Sequence, residues 1–329
     1  MRWRWVGIDE AGYGPNLGPL VMTAVTAEGA ENSPPDLWAD LESRVCRAQA
    51  SRATDRLWID DSKEILKHKA RGHAQLEAGC LALLEALNPP SYALPSTFDA
   101  VLEALSAGTL EDVELTPWLV EGSNLSWPRP ESLALFQSWP SPGPLSSGEG
   151  APWRIVSVET VVVGPARFNE GLLRHASKAS VHFEAFGKLM RSVWSRARDG
   201  VPTSVRGDKH GGRHFYFEPL QSLFEDTWID RGPEGPKLSR YTLRSPERRV
   251  ELSLTPKADR DDGLVALASI VSKAVRERWM DVFNAYWTAL IPGLRPTAGY
   301  PLDARRFRER IEPSCLERQL SPSLWWREK

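Results

Sequence analysis

The sequence predicts a layered α/β fold built on a partly antiparallel sheet. Short runs dense in β-branched residues open the chain, and stretches with apolar residues at helical spacing follow. No internal repeat or low-complexity tail interrupts this pattern. The first run, "WRWVGIDEAGYGPNLGPLVMTA", carries strand character into Asp9 and Glu10, bends through three glycines, and resumes as "LVMTAVTA". Two adjacent carboxylates at the end of a core strand are costly unless something offsets them. A metal ion, a basic side chain, or solvent at an open sheet edge would each do so.

Further elements follow in order. "DRLWID" reads as a short strand, and the next stretch as one long helix capped by Ser62. Residues 88–152 break the regularity with loops rich in Pro, Gly and Ser around helical pieces at "TFDAVLEAL" and "PESLALFQSW". Their proline and tryptophan content suits either an ordered cap over or beside a groove or a plain surface excursion. "PWRIVSVETVVVG" is a strand, and "FNEGLLRHASKASVHFEAFGKLMRSVWSRA" a helix. "PTSVRGD" and "GRHFYFEPL" read as short strands, and "LSRYTLRSPERRVELSLTP" as a hairpin. The clearest helix is "DDGLVALASIVSKAVRERWMDVFNAYWTAL", and an arginine-rich helix, "LDARRFRERI", comes last.

Composition narrows the class. The 329 residues are 41% hydrophobic and 26% charged, as in a globular enzyme or binding protein. A net charge of −2 supplies no global basic field, so any nucleic-acid contact must come from a local groove. The three cysteines are widely spaced and suit a reducing compartment. With no signal peptide and no apolar run of membrane-spanning length, a cytoplasmic monomer without membrane contact is expected.

Two more acids sit at element ends. Asp208 closes "TSVRGD", and Asp259 precedes the long helix. Singly, Asp208 reads as a turn aspartate and Asp259 as a helix cap. Together with Asp9 and Glu10 they make four acids on three elements, whose mutual repulsion would need neutralising. Two divalent ions would resolve it and clamp a phosphodiester, and oxygen-only ligands favour Mg²⁺ or Mn²⁺.

The stretch "VGIDEAGYGPNLGPL" resembles the opening motif of the type 2 ribonuclease H family (ribonucleases HII and HIII), an Asp-Glu pair before a glycine-basic-glycine triplet. "IDDSKEIL" resembles that family's Asp-Ser-Lys-Lys-Leu segment. "RGD" at residues 206–208 is similar to its third acidic strand end. "KADRDDGLVALASIVSKAVRERWM", with Asp259 and Ser269, resembles its Lys-Gly-Asp stretch and following helix. "AGY" at 298–300 resembles its Lys-Gly-Tyr.

The resemblance implies a ribonuclease H-like mixed sheet flanked by helices, with inserted segments and a C-terminal helical extension. It implies a catalytic domain over 1–280, with the insertion at about 88–152, and a helical region over 281–329 that completes the groove. Asp9, Glu10, Asp208 and Asp259 would hold two Mg²⁺ or Mn²⁺ ions. The implied reaction is hydrolysis of RNA in RNA–DNA hybrids, or cutting at ribonucleotides embedded in duplex DNA, with 3′-hydroxyl and 5′-phosphate products. Gly12, Tyr13 and Gly14 would approach the ribose, Ser62 and Lys63 the backbone phosphates, and Tyr300 a sugar. Lys273 and Arg276 match family positions in a basic run that also reads as a solvated helix face.

The departures are Tyr13, where the family carries a cation, and extra length at 88–152 and around "DRGPEGPKLSRYTLRSPERR". Lys209, His210 and Arg213 place unusual positive charge beside Asp208, available for a phosphate contact, for positioning water in the case of His210, or as a solvated turn. These departures keep open a relative acting on another structured nucleic acid, or a catalytically weak binding or scaffold protein.

Overall fold

A computed structural model describes residues 2–48, 56–88, 92–106, 116–122, 126–147, 151–175 and 177–328. The chain opens with β1 (Trp3–Ala11), β2 (Leu20–Gly29), a one-turn α1 (Leu37–Asp40) and a small parallel pair, β3 (Val45–Cys46) and β4 (Leu57–Trp58). Helices α2 (Ser62–Leu66), α3 (Ala70–Leu87), α4 (Phe98–Leu105), α5 (Pro117–Gly122) and α6 (Pro130–Gln137) lead to β5 (Trp153–Val163). Then come α7 (Pro165–His175), α8 (Lys178–Arg196), β6 (Thr203–Asp208) and α9 (Phe217–Leu223). The chain continues through β7 (Trp228–Glu234), β8 (Ser239–Ser245) and β9 (Arg248–Thr255), and ends with α10 (Gly263–Leu290) and α11 (Pro301–Glu317).

Seven strands form one sheet in the order β5-β2-β1-β6-β9-β8-β7. Strands β1, β6 and β9 are parallel, and β2 runs antiparallel to β1 and β5. The last three strands form an antiparallel meander. This is the mixed α/β sheet the sequence predicts, flanked by helices and followed by a helical C-terminal extension.

Period-2 alternation divides the core between the two sheet faces. Trp5, Val21 and Val25 face α3 and α10, whereas Val6, Ile8, Leu20 and Met22 face α8. The contact of α10 with β1 depends on Gly7. A Cβ there would lie 2.3 Å from backbone atoms of Leu264 and Val265, so any side chain would push the helix off the sheet.

Four local expectations change. Asp61, rather than Ser62, caps α2 by accepting from Lys63 N at 2.9 Å, and the expected long helix breaks at Lys69, whose φ is +55°. The helix expected over 168–197 is two helices, the second capped by Ser177. Residues 217–223, read as a strand, are helical, because the Glu234 carboxylate accepts from Tyr216 N and Phe217 N at the helix start. Lastly, none of the described residues of 88–152 lines the cleft that holds the predicted site. That segment packs on α3 and α10 instead. Trp118 is fully buried, with its ring 5.1 Å from Phe283 and 6.1 Å from Trp279. Arg129 pairs with both Glu77 and Asp281, joining α3 to α10.

The insertion is thus a wall of the core. Trp118→Ala is expected to destabilise the protein by about 3–5 kcal/mol, the range for emptying a buried aromatic site. Urea denaturation followed by tryptophan fluorescence and circular dichroism measures this, and a change under 1 kcal/mol would mean the segment is not part of the core.

Candidate active site

Beyond the last paired residues of the parallel strands, Ile8 and Gly207, the chain places Asp9 and Asp208 at neighbouring strand ends. The β1 pleat sends Asp9 and Glu10 to opposite sheet faces. Asp9 turns toward α10, where Ser269 hydrogen-bonds its carboxylate and Ser272 Oγ donates to its carbonyl oxygen at 3.1 Å. Ser62 Oγ lies 3.0 Å from Ser269 Oγ, tying α2 into the same chain of hydroxyls. Glu10 turns toward α8, where His182 Nε2 lies 3.4 Å from its Oε2. His182 is fully buried, edge-on to the rings of Tyr13 at 4.9 Å and His210 at 4.4 Å.

Asp208 accepts backbone N–H bonds from Lys209 (2.8 Å) and Lys257 (2.7 Å). Asp259 stands in a single 3-10 turn ahead of α10. The cap of α10 is Asp262, which accepts from Leu264 N and Val265 N. This frees Asp259 from the capping role that the sequence allowed it.

The electrostatics are one-sided. Burial, then the charge of Glu10, holds the Asp9 carboxyl well above the ordinary carboxylate range. Burial raises Asp208, against the pull of its backbone donors. Burial, then the charges of Asp61 and Asp208, pushes Asp259 up to about 6. Among the described residues no lysine or arginine forms an ion pair with Asp9, Asp208 or Asp259. Nor do three or more His, Cys, Asp or Glu side chains stand ready as a metal-ligand group among them. Even so, the donor set fits a hard divalent cation, because it is all carboxylate oxygen, Asp9 and Asp259 are buried, and among the described residues none of Asp9, Asp208 and Asp259 is ion-paired with Lys or Arg.

Glu10 and Asp208 line an open cleft of about 530 Å³, and Asp9 and Asp259, each less than a tenth exposed, do not reach its wall. Gly12, Tyr13, Gly14, Ser62, Lys63, Lys209, Lys273 and the half-exposed Tyr300 also line it. Several of these are already engaged. Lys273 pairs with Glu277 at 2.7 Å, and Lys209 Nζ donates to Ser239 Oγ at 2.6 Å. Gly12 has φ +89°, and a Cβ there would lie 2.3 Å from Pro19 O, so packing alone demands glycine.

Two predicted substrate-binding residues, Arg213 and Arg276, also lie away from the cleft wall. The Arg213 guanidinium covers the rings of Phe183 and Tyr216. Arg276 is fully buried and donates to Leu17 O (3.2 Å) and Ala298 O (3.0 Å), pinning the glycine turn to the segment before Tyr300. Sequence reasoning missed Asp61, His182 and Lys257, and it missed Pro236, which the β7–β8 hairpin brings to the cleft. The fully buried Arg327 was missed as well.

No family model and no curated protein matches the chain. It is similar to the ribonuclease HII of Archaeoglobus fulgidus, solved in complex with PCNA, at 15% identity over 99% of this chain and 94% of that one, TM-score 0.39. It is similar to the ribonuclease H2 of Pyrococcus horikoshii at 16% identity, over 98% and 92%, TM-score 0.41. The Bst-RNase HIII structure with Mn²⁺ aligns at 12% identity, over 98% and 66%, TM-score 0.43. Likeness this distant carries no residue role across, so each role below rests on this chain's own geometry.

The Asp259 shift sets a pH signature for the metal-free protein. A carboxyl with a folded pKa of about 6, against an ordinary 3.8, contributes stability that is complete below its unfolded pKa and lost as pH rises through 6. In chelator, Asp259→Asn should therefore melt above wild type at neutral pH, with the gap closing toward pH 4. Adding Mn²⁺ at neutral pH should raise wild type more than the variant. Differential scanning fluorimetry across pH reads both, and a gap independent of pH and of Mn²⁺ would remove Asp259 from the site.

Proposed function

We propose that the protein is a divalent-metal-dependent endonuclease that hydrolyses the RNA strand of RNA–DNA hybrids or cuts at ribonucleotides embedded in duplex DNA. One observation supports this reading: Asp9 and Asp208 stand on the neighbouring strands β1 and β6, Asp259 lies near enough to feel the charge of Asp208, and among the described residues none of the three is ion-paired with Lys or Arg, beside a cleft with lysines on its rim. Asp9, Glu10, Asp208 and Asp259 would hold Mg²⁺ or Mn²⁺. When bound, such ions activate water and stabilise the leaving oxygen of a phosphodiester. Water adds to phosphorus, the bond to the 3′ oxygen breaks, and the proton passes to that oxygen, leaving 3′-hydroxyl and 5′-phosphate ends.

The chain's own residues arrange the rest. Ser269 and Ser272 hold Asp9 from α10, and the Lys209 and Lys257 amides hold Asp208, so little reorganisation remains when substrate arrives. Lys63 and Lys257 offer point charges to the phosphates, and Tyr300 offers a ring face to a sugar or base. In this reading residues 281–329 complete a groove begun by residues 1–280. Among the described residues no helix is long and apolar enough to cross a membrane. The three buried free cysteines fit the reducing compartment we propose, the cytoplasm.

A second reading, action on another structured nucleic acid, is favoured by Tyr13 and by the β7–β8 hairpin, whose Pro236 adds a wall to the cleft. Labelled duplexes holding one, four or many ribonucleotides, incubated with Mg²⁺ or Mn²⁺, separate the readings. Cleavage of at least one ribonucleotide-containing duplex, abolished by Asp208→Asn in a protein of unchanged melting temperature, is the expected outcome. Wild-type rates in that variant would remove Asp208 from the mechanism, and no cleavage of any duplex would end the hybrid-nuclease reading.

A further inference from the structure

Arg327 is fully buried and forms charge-assisted bonds to the back of the glycine turn. Its Nη1 donates to Gly12 O at 2.5 Å and Gly18 O at 3.4 Å, and its Nη2 donates to Tyr13 O at 3.0 Å. The backbone around it is locked in turn. Arg327 N donates to Asn16 O at 2.7 Å, Asn16 Nδ2 donates to Arg327 O at 3.0 Å, and the guanidinium lies 3.9 Å from the Phe168 ring centroid.

Among the described residues no carboxylate pairs with this charge. Burial, then the nearby Arg276, pulls Arg327 down to about 9, which still leaves it protonated at neutral pH. A buried cation without an anion is costly, and here a second buried guanidinium stands close by. Both press on one short turn from inside the protein. The outer side of that turn is the cleft wall at Gly12, Tyr13 and Gly14.

Peptide geometry converts this into a direction. The links on either side of Tyr13 are trans, so each carbonyl points opposite to the N–H of the same unit. With the Gly12 and Tyr13 carbonyls drawn inward to Arg327, the N–H groups of Tyr13 and Gly14 point outward. Among the described residues neither N–H has an acceptor. Consecutive unsatisfied N–H groups form an anion-binding concavity.

We propose that Arg327 is a positioning residue for phosphate recognition, turning two carbonyls inward so that the Tyr13 and Gly14 amides form an anion seat, with its charge supplied from behind. This inference deepens the nuclease reading and rests on it for the identity of the anion, a phosphodiester of the substrate backbone. It accounts for Tyr13: the cation that the side chain lacks is held one layer deeper.

The test uses the full chain in chelator, selectively ¹⁵N-labelled at Tyr and Gly, titrated with an RNA–DNA hybrid and separately with inorganic pyrophosphate. Amide resonances of Tyr13 and Gly14 should move with both probes, while those of Gly200 and Gly293 stay fixed. In Arg327→Met the response should vanish, hybrid affinity should fall about tenfold, as for loss of a hydrogen bond to a charged group, and the salt slope should drop by about one. Arg327→Lys, which keeps the charge, should recover most of the affinity. Unmoved Tyr13 and Gly14 amides in wild type at saturating hybrid would overturn the proposal, even if Arg327→Met fails to fold. So would a folded Arg327→Met that binds like wild type at every salt concentration. Amides that answer pyrophosphate in a protein that cleaves no duplex would sustain the anion seat and defeat the nuclease reading. Cleavage with silent amides would do the reverse.

Discussion

The close approach on which this structure depends is that of α10 to β1 at Gly7, where helix backbone comes within reach of a bare Cα. Because the helix lies that close, successive turns deliver different groups to the same place. Ser269 and Ser272 meet Asp9, Lys273 reaches the cleft, and Arg276 meets the glycine turn. One and two turns further on, Trp279 and Phe283 stack at 5.4 Å and receive the inserted segment. Helical spacing therefore links the acids, the turn and the insertion through one rigid rod. A shift of this helix would disturb all three together.

Charge is arranged in layers around that rod. Carboxylates lacking cations gather at the strand ends. Guanidiniums enclosed by carbonyls and aromatic rings lie behind the neighbouring turn. Each layer is unfavourable in isolation, since desolvated charge is costly whichever its sign. In the nuclease reading proposed above, a phosphodiester accompanied by divalent cations would offset both. The site thus reads as prepared for a ligand carrying negative charge toward the turn and positive charge toward the acids.

Much of this was legible in the sequence wherever the determinant is local. The β-branched runs became β2 and β5, the acidic start of α10 is its cap, and β6 ends at Asp208 as read, whereas β1 runs past Asp9 to Ala11. Distant partners decided the rest. "FYFEPL" alternates like a strand, yet Glu234 supplies acceptors to its first N–H groups and the segment coils into a helix. The inserted segment looked like a groove cap because its aromatics were conspicuous, and their partners on α10 could not be read from spacing. Arg327 is the extreme case: its bond to Gly12 spans a separation of 315 residues, and nothing near it in sequence marks it as buried.

The central claim is that Asp9, Glu10, Asp208 and Asp259 share divalent cations. Crystals of the full-length protein grown with Mn²⁺, measured at the manganese absorption edge, test it most directly. The account predicts anomalous density enclosed by carboxylate oxygens of these four residues. Saturating Mn²⁺ with no density among them, or with density ligated by other residues, would contradict it.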